Sequence, residues 1–567
     1  MFKKIILILI GALFLSYIMK PILVKELGFS QFKTSLFPLY LETITVTISF
    51  LLFRYSCLKI KSLLRKRKDK KTMSSLKKNE FTLVFRAGNN VPLTVDNPFR
   101  GIYIQGGAGS GKSDSFFKPI LKQFSEMNMA GILYDFKSPD LTSTLYNYYK
   151  HNPKVNFAFI DFKDIRYSNR INPISPKIIT KTAYAFEIAR ALIYNLMPEN
   201  IKQQDFFSRS TISLTAGIIW FFKKNLPTIC TLPHVITFIL KCPAELLVQI
   251  IATDDETYGM ISSLKEAVDQ KAGKQIAGVL GTLKNAVAPL NIKEVFYILS
   301  KDEVDLDLNN PNNPTMLAIG NDSTLPGTYE SLISTIITIS SKLMNQPNKW
   351  PSAIVLDEAP TLFIPNFEQL PATARSNRIA TVYGAQDYAQ IVDKYGRDKS
   401  EALIANLGNQ FFGRTTNAKT ARMISDIFGK KDTSFTTYSR GKSNPDGIFK
   451  PGSSNSGSSK SIQERDVIPI REIKNALPGQ FFGIIAEGNY KEWLEVRLNK
   501  VDYQETLPPM LEPDPDAEYI FARINQDITR LIEDPKSMIS ESSISLDIEI
   551  KENLDQDDIL DDFFDEL

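Results

Sequence analysis

The chain is poor in the residues that build disulfide-held or metal-centred proteins. Among its 567 residues there are three cysteines, Cys57, Cys230 and Cys242, and two histidines, His151 and His234. Three thiols so placed give no disulfide framework, and no Cys or His grouping has zinc-ligand spacing. The thiols read as buried or idle groups in a reducing compartment. Net charge is also small, +4 at pH 7, so total charge argues neither for nor against nucleic acid. What charge there is lies at the ends. Lys59 to Lys78 holds ten Lys or Arg against Asp69 alone, and Ser540 to Leu567 holds eleven Asp or Glu against Lys551. A basic collar and an acidic tail point to different partners.

Hydrophobic residues make up 43% of the chain, enough for real cores, and the length suits two or three domains plus tails. Charge is absent from Ile5 to Met19, which as a helix spans about 22 Å, and lysines at its ends can snorkel to lengthen it. A second apolar run, Leu36 to Phe53, is broken only by Glu42. The basic collar follows it, and Lys3 and Lys4 precede the first run. The excess of positive charge therefore predicts two transmembrane helices within residues 1–58, both ends cytoplasmic, and a basic linker over 59–80. The alternative is a cleaved signal peptide, against which stand the second span and the lack of a small-residue cleavage site.

Beyond the collar, "FTLVFRAGNNVPLTV" alternates like a β-hairpin. "GIYIQ" (101–105), "GILYDF" (131–136) and "VNFAFIDF" (155–162) read as buried strands, with a helix over Asp114 to Glu126. From 176 to 309 the pattern turns helical, as in "AYAFEIARALIYNLM". Strand patterns return at "TMLAIG", "AIVLDE", "IATVYGA" and "NQFFGR". The expected fold is α/β: a RecA-like P-loop domain with a parallel sheet (81–175 and 310–505), interrupted by an all-α insertion (176–309). Residues 434–461, rich in Ser and Gly, read as a flexible loop. Residues 506–567 read as an acidic, mostly disordered tail.

The chemistry is carried by "GGAGSGKS": Gly106, Gly107, Ala108, Gly109, Ser110, Gly111, Lys112 and Ser113. It follows a strand and opens a helix, the setting in which this pattern works as a phosphate loop. Glycines let backbone N–H groups turn inward around phosphate oxygens, and the helix N-terminus adds a positive dipole end. Lys112 would reach the terminal phosphates of ATP, and Ser113 would ligate Mg²⁺. In "AIVLDEAP", Asp357 emerges from an apolar strand as a second Mg²⁺ ligand, and Glu358 can take a proton from attacking water. Gln386 ends the next strand, either as a γ-phosphate sensor or as an ordinary strand-end glutamine. Arg375 and Arg378 precede that strand. Arg375 is a candidate finger toward a neighbouring subunit's site, with a surface salt bridge as the alternative.

Taken together, "GGAGSGKS", "YDFKSPDL" (134–141), "INPI" (171–174), "IVLDEAPTL" (354–362), "AQDYAQI" (385–391), "NQFFGRTTNAKTARMISDIFG" (409–429) and "VIPIREIKNALPGQ" (467–480) resemble the type IV coupling proteins of the TraG/TraD conjugation family. That family is similar in turn to FtsK-type DNA pumps. The resemblance covers roughly residues 100–500. It departs at Ser138 and Pro139, where a Gly-acid pair is usual, so Lys137 is given no chemical role. The resemblance implies an inner-membrane, homo-hexameric ATPase that takes single-stranded DNA joined to a relaxase to the type IV secretion channel. A different class stays open: an ATP-dependent docking receptor for protein effectors, without DNA pumping. Lys202, Arg209, Lys271, Lys274 and Lys284 are candidates to line a DNA channel, against a solvated helix face. The acidic tail, with Ile559, Leu560, Phe563, Phe564 and Leu567 among its carboxylates, reads as a docking segment for a protein partner, or else a solubility tail.

Overall fold

The computed structural model describes residue 54 and residues 79–542, except 89–91, 203–204, 323, 443–453, 488–493, 501–502 and 513–515. The chain divides into two units at Lys78/Asn79. The two spans read in residues 1–58, the basic linker up to residue 78 and the acidic segment 543–567 therefore lie outside the described residues. Among the described residues no helix is long and apolar enough to cross a membrane.

The second unit is built on a nine-stranded sheet. Its strands are β3 (Ile102–Gln105), β4 (Ala130–Asp135), β5 (Asn156–Asp161), β6 (Thr315–Gly320), β7 (Ser352–Leu356), β8 (Ile379–Ala385), β9 (Asn409–Phe412), β12 (Gln480–Ile484) and β13 (Leu494–Arg497). They lie in the order β13-β12-β9-β3-β8-β7-β4-β6-β5. The sheet is mixed, which corrects the parallel sheet expected. β9 and the strands on its β3 side run parallel, but β12 is antiparallel to both β9 and β13. β12 and β13 follow one another through a short connection, which suits an antiparallel pair, whereas two helices and a hairpin separate β9 from β12. Two further strands, β1 (Leu83–Phe85) and β2 (Leu93–Val95), form a separate hairpin.

The parallel strands are apolar on both faces because both are covered. Along β7, Ile354 and Leu356 belong to one core and Val355 to the other; along β4, Ile132 and Tyr134 are split from Leu133 in the same way. One core is closed by β1, β2 and the helices Lys118–Glu126 and Asp140–Tyr149. The other runs into the helices between β5 and β6, which span Thr182 to Ile298. The helix Thr182–Leu196 packs there on Pro326–Met344.

Two stretches depart from the sequence reading. The described residues of 434–461 lie in two antiparallel strands, β10 (Lys430–Lys442) and β11 (Ser454–Asp466), with 443–453 outside the described residues. Thr, Ser, Tyr and Phe in alternation suit a strand even without a core, and the Ser/Gly content hid that alternation. The described residues among 506–542 pack on the rest of the second unit. Thr506 N–H donates to the Ser143 carbonyl at 3.1 Å, and Lys118 meets Glu505 at 2.8 Å. The helix Ala517–Glu533 then buries Ile520, Ile524, Ile528 and Leu531 against the helices Leu232–Lys241 and Lys293–Ile298. Phe521 meets Phe296 with ring centroids 5.1 Å apart. The four apolar residues recur at helical spacing; prolines before them and acids after them masked it.

Candidate nucleotide site

The phosphate loop leaves the carboxyl end of β3, near the middle of the sheet. Its backbone is fastened from several sides. Gly106 N–H donates to the Ala385 carbonyl at 3.1 Å, Gly107 N–H to Arg414 at 2.8 Å, and Gly479 N–H to Ser110 at 2.9 Å. Gly109 and Gly111 hold φ of +74° and +92°, which a side chain would resist. A Cβ on Gly106 would stand 2.5 Å from Ser110 Oγ, and one on Gly111 3.0 Å from Gly479 N. The hydroxyl of Ser110 is buried with no hydrogen-bond partner. Loop glycines that admit no Cβ and an orphaned buried hydroxyl are what an anionic ligand in the loop would use, so these residues fit a nucleotide phosphate.

Lys112 is almost fully buried. Its Nζ donates to the Gly106 carbonyl at 2.5 Å and stands 3.2 Å from Glu358 Oε1. Glu358 reaches it through a left-handed turn, with φ 49° and ψ 45° at the end of β7. A non-glycine residue held there is strained and marks a functional turn. Asp357, beside it, is 5% exposed. Burial pushes its carboxyl up to about 7, helped by the charges of Glu358 and Asp135 and opposed by Lys112 and Lys137. Asp135 ends β4 fully buried; burial pushes it up to about 6, although Thr142 donates N–H and hydroxyl to it at 2.8 and 2.9 Å. Crowded carboxylates of raised pKa beside a phosphate loop favour a divalent cation, which would relieve their repulsion. Ser113 opens the helix beside the loop, in a π-helical first turn, Ser113–Phe117.

Gln386 is half-buried one residue past β8. Since β8 lies between β3 and β7, the sheet brings Gln386 to the edge that holds the loop and Asp357. Arg375 is not brought there. It precedes β8, at the opposite end of a strand whose seven residues span roughly 23 Å. There its side chain, 46% exposed, lies 3.5 Å from Glu487. Glu487 also accepts from Arg100 at 2.5 Å and from Asn97 at 3.1 Å. Within one chain Arg375 makes the salt bridge that was its alternative reading.

Sequence reading missed three residues here. Asp135 and Lys137 lie in a motif that was quoted without a role, yet both set the charge around Asp357. Arg414 is exposed just past β9, and its carbonyl holds Gly107. Their shared signal is position: each follows an apolar strand at its carboxyl end, where open α/β sheets bind ligands. Among the candidate channel lysines, Lys284 instead donates to the Cys242 carbonyl at 3.0 Å. Arg209, Lys271 and Lys274 are exposed.

Residues 351–478 match the family model described as the TraM recognition site of TraD and TraG. The match covers 128 of the chain's 567 residues and makes this segment similar to the TraG/TraD coupling proteins. Solved structures agree in fold. One is the bacterial conjugative coupling protein TrwBdeltaN70 in its unbound monoclinic form, at 15% identity and TM-score 0.57, covering 77% of this chain and 92% of that one. A second is plasmid coupling protein TrwB in complex with ADP and Mg²⁺, at 15% identity and TM-score 0.53, covering 75% and 90%. A third, TrwB with the non-hydrolysable GTP analogue GDPNP, has 14% identity and TM-score 0.52, covering 73% and 89%. Comparison with curated proteins finds no match. The matched segment contains Asp357, Glu358, Arg375, Gln386 and the strands β10 and β11.

Proposed function

We propose that this chain is a membrane-anchored, ATP-hydrolysing conjugative coupling protein, which moves a relaxase-bound DNA strand toward a type IV secretion channel as a homo-hexamer in the bacterial inner membrane. The observation that carries the enzymatic part is the buried contact between Lys112 and Glu358, with Asp357 alongside. Backbone N–H groups of Gly109 to Ser113 and the Lys112 ammonium would hold the phosphates. Ser113 and Asp357 would hold Mg²⁺, which when bound draws charge off the reacting phosphate. As Lys112 turns to the phosphate it releases the Glu358 carboxylate, which then takes the proton of the attacking water. Gln386 orients that water or reads the γ-phosphate. Arg375, far from its own loop, acts on the site of a neighbouring subunit.

A second reading has one observation behind it: the matched family description is a recognition site for a protein. In that reading residues 351–478 dock a TraM-like accessory protein, and ATP signals assembly without pumping DNA. Full-length protein carrying Lys112→Ala or Glu358→Gln separates the two. The pump reading expects Lys112→Ala to abolish both ATP turnover and transfer. Glu358→Gln should keep ATP but turn it over at least ~10²-fold more slowly, with transfer lost. Transfer at the wild-type level with turnover gone would leave only the docking reading.

A further inference from the structure

The segment that follows Glu358 is held at two points by side chains outside the phosphate loop. The first hold is a string of hydroxyls. Thr361 Oγ1 donates to the Glu358 carbonyl at 2.9 Å, and Thr361 N–H donates to the same oxygen at 3.0 Å. Tyr134 Oη stands 2.9 Å from Thr361 Oγ1. The Thr361 hydroxyl has one proton, already given to Glu358, so Tyr134 is the donor to it. Asn321, one residue past β6, donates in turn from Nδ2 to Tyr134 Oη at 3.1 Å. Tyr134 is fully buried, which raises its pKa above the ordinary tyrosine range and keeps that proton in place. The string therefore runs one way, from Asn321 through Tyr134 and Thr361 to the backbone of the left-handed turn at Glu358.

The second hold comes from the helices between β5 and β6. Asn195, near the end of the helix Thr182–Leu196, meets Phe363 as one strand meets another. Its Nδ2 donates to the Phe363 carbonyl at 2.7 Å, and its Oδ1 accepts from the Phe363 N–H at 3.0 Å. Ser334, buried on the helix Pro326–Met344, accepts from Asn195 Nδ2 at 3.0 Å and donates to the same Phe363 carbonyl. A side-chain amide offers a donor and an acceptor side by side, whereas an aspartate of the same size only accepts. Phe363 lies five residues after Glu358, with the 3-10 turn Ala359–Thr361 between them. Leu362 and Phe363 are buried in any case, so packing alone would anchor the segment. Hydrogen bonds add direction, and direction is what a non-glycine left-handed turn needs, since it persists only where its surroundings over-determine it. We infer that Tyr134 and Asn195 are positioning residues for Glu358: they fix the turn that aims its carboxylate, and through Asn195 the helices between β5 and β6 govern ATP turnover. A misplacement of about 1 Å in a catalytic group slows a reaction by ~10²-fold, so a shift of that size at Asn195 would be felt at Glu358. This inference rests on the ATP hydrolysis proposed above.

The test uses full-length protein in detergent carrying Tyr134→Phe or Asn195→Asp, each of which removes a hydrogen-bond donor and keeps the size of the side chain. ATP turnover gives kcat, and a fluorescent ATP analogue reports affinity. Each variant should lower kcat at least ~10-fold, less than Glu358→Gln does, with affinity for the analogue within ~2-fold of wild type. Combined with Glu358→Gln, each should cost no further turnover, because a group that acts through Glu358 then has nothing left to place. Wild-type kcat in both variants overturns the inference and leaves the ATPase reading standing. So does a loss that repeats in full on Glu358→Gln, or an affinity that falls along with kcat, since either is general damage to the fold. A loss in one variant alone overturns the role of the other residue. If wild type itself hydrolyses no ATP, the inference and the ATPase reading fall together.

Discussion

Asp357 carries a conflict between stability and function in a single carboxyl group. Its pKa rises from the ordinary 3.8 to about 7 because burial and the nearby Glu358 and Asp135 oppose its charge. Between those values the folded chain holds a proton that the unfolded chain has lost, so stability falls as pH rises through that window. At about 1.4 kcal/mol per unit the ceiling is roughly 4 kcal/mol. Asp357→Asn never ionises. Nucleotide-free Asp357→Asn should therefore melt higher than wild type at pH 8 and nearly the same at pH 4, while losing Mg²⁺-dependent ATP turnover. Thermal melts at the two pH values check this; a melting difference that does not grow with pH would show that the charge is not felt.

At the scale of elements, the helix Ala517–Glu533 is the part of the C-terminal region that packs. Burial of Ile520, Ile524, Ile528 and Leu531, the Phe296–Phe521 contact and the 2.6 Å Lys293–Glu518 pair fasten it to the helical region. Exposed ion pairs add little, whereas a buried isoleucine cut to alanine costs about 2–5 kcal/mol. Ile528→Ala should lower the midpoint of urea unfolding by that scale, and Glu518→Ala hardly at all. Deleting residues 543–567 should leave the midpoint alone but lower transfer, if that segment and its ten acids dock a protein. Wild-type transfer after that deletion would reduce the segment to a solubility tail. The β10–β11 hairpin is the opposite case: its described side chains are exposed or half-buried, so substitutions among them should spare stability.

At the scale of the whole molecule, the geometry of one sheet makes Arg375 a question about assembly. The loop lies at the carboxyl ends of the parallel strands and Arg375 at the amino end of β8, so a single chain cannot join them. Mixing full-length Arg375→Ala and Lys112→Ala proteins should restore part of the ATP turnover, because some interfaces then pair an intact loop with an intact arginine. The check is turnover across a series of mixing ratios in hexamers shown to be mixed. No recovery at any ratio would confine Arg375 to its 3.5 Å contact with Glu487.

Much of this was legible in the chain itself, for reasons of range. Glycine placement, a strand before and a helix after are local, so the phosphate loop and the strand ending at Asp357 follow from adjacent residues. The apolar runs of β4, β7 and β8 announce strands buried on both faces. Other features depend on residues far apart in sequence. The Lys112–Glu358 contact, the pressure of Asp135 on Asp357, the antiparallel β12 and the placing of Gln386 between loop and acid all follow from strand order. Strand order is set by how helices and sheet faces close their two cores, which no short window contains. The register of β10 against β11 is likewise a property of two strands together. The sequence by itself determined which residues could do chemistry with a phosphate; only the tertiary structure decided which of them meet, because packing, not spacing, brings distant charges into one buried site.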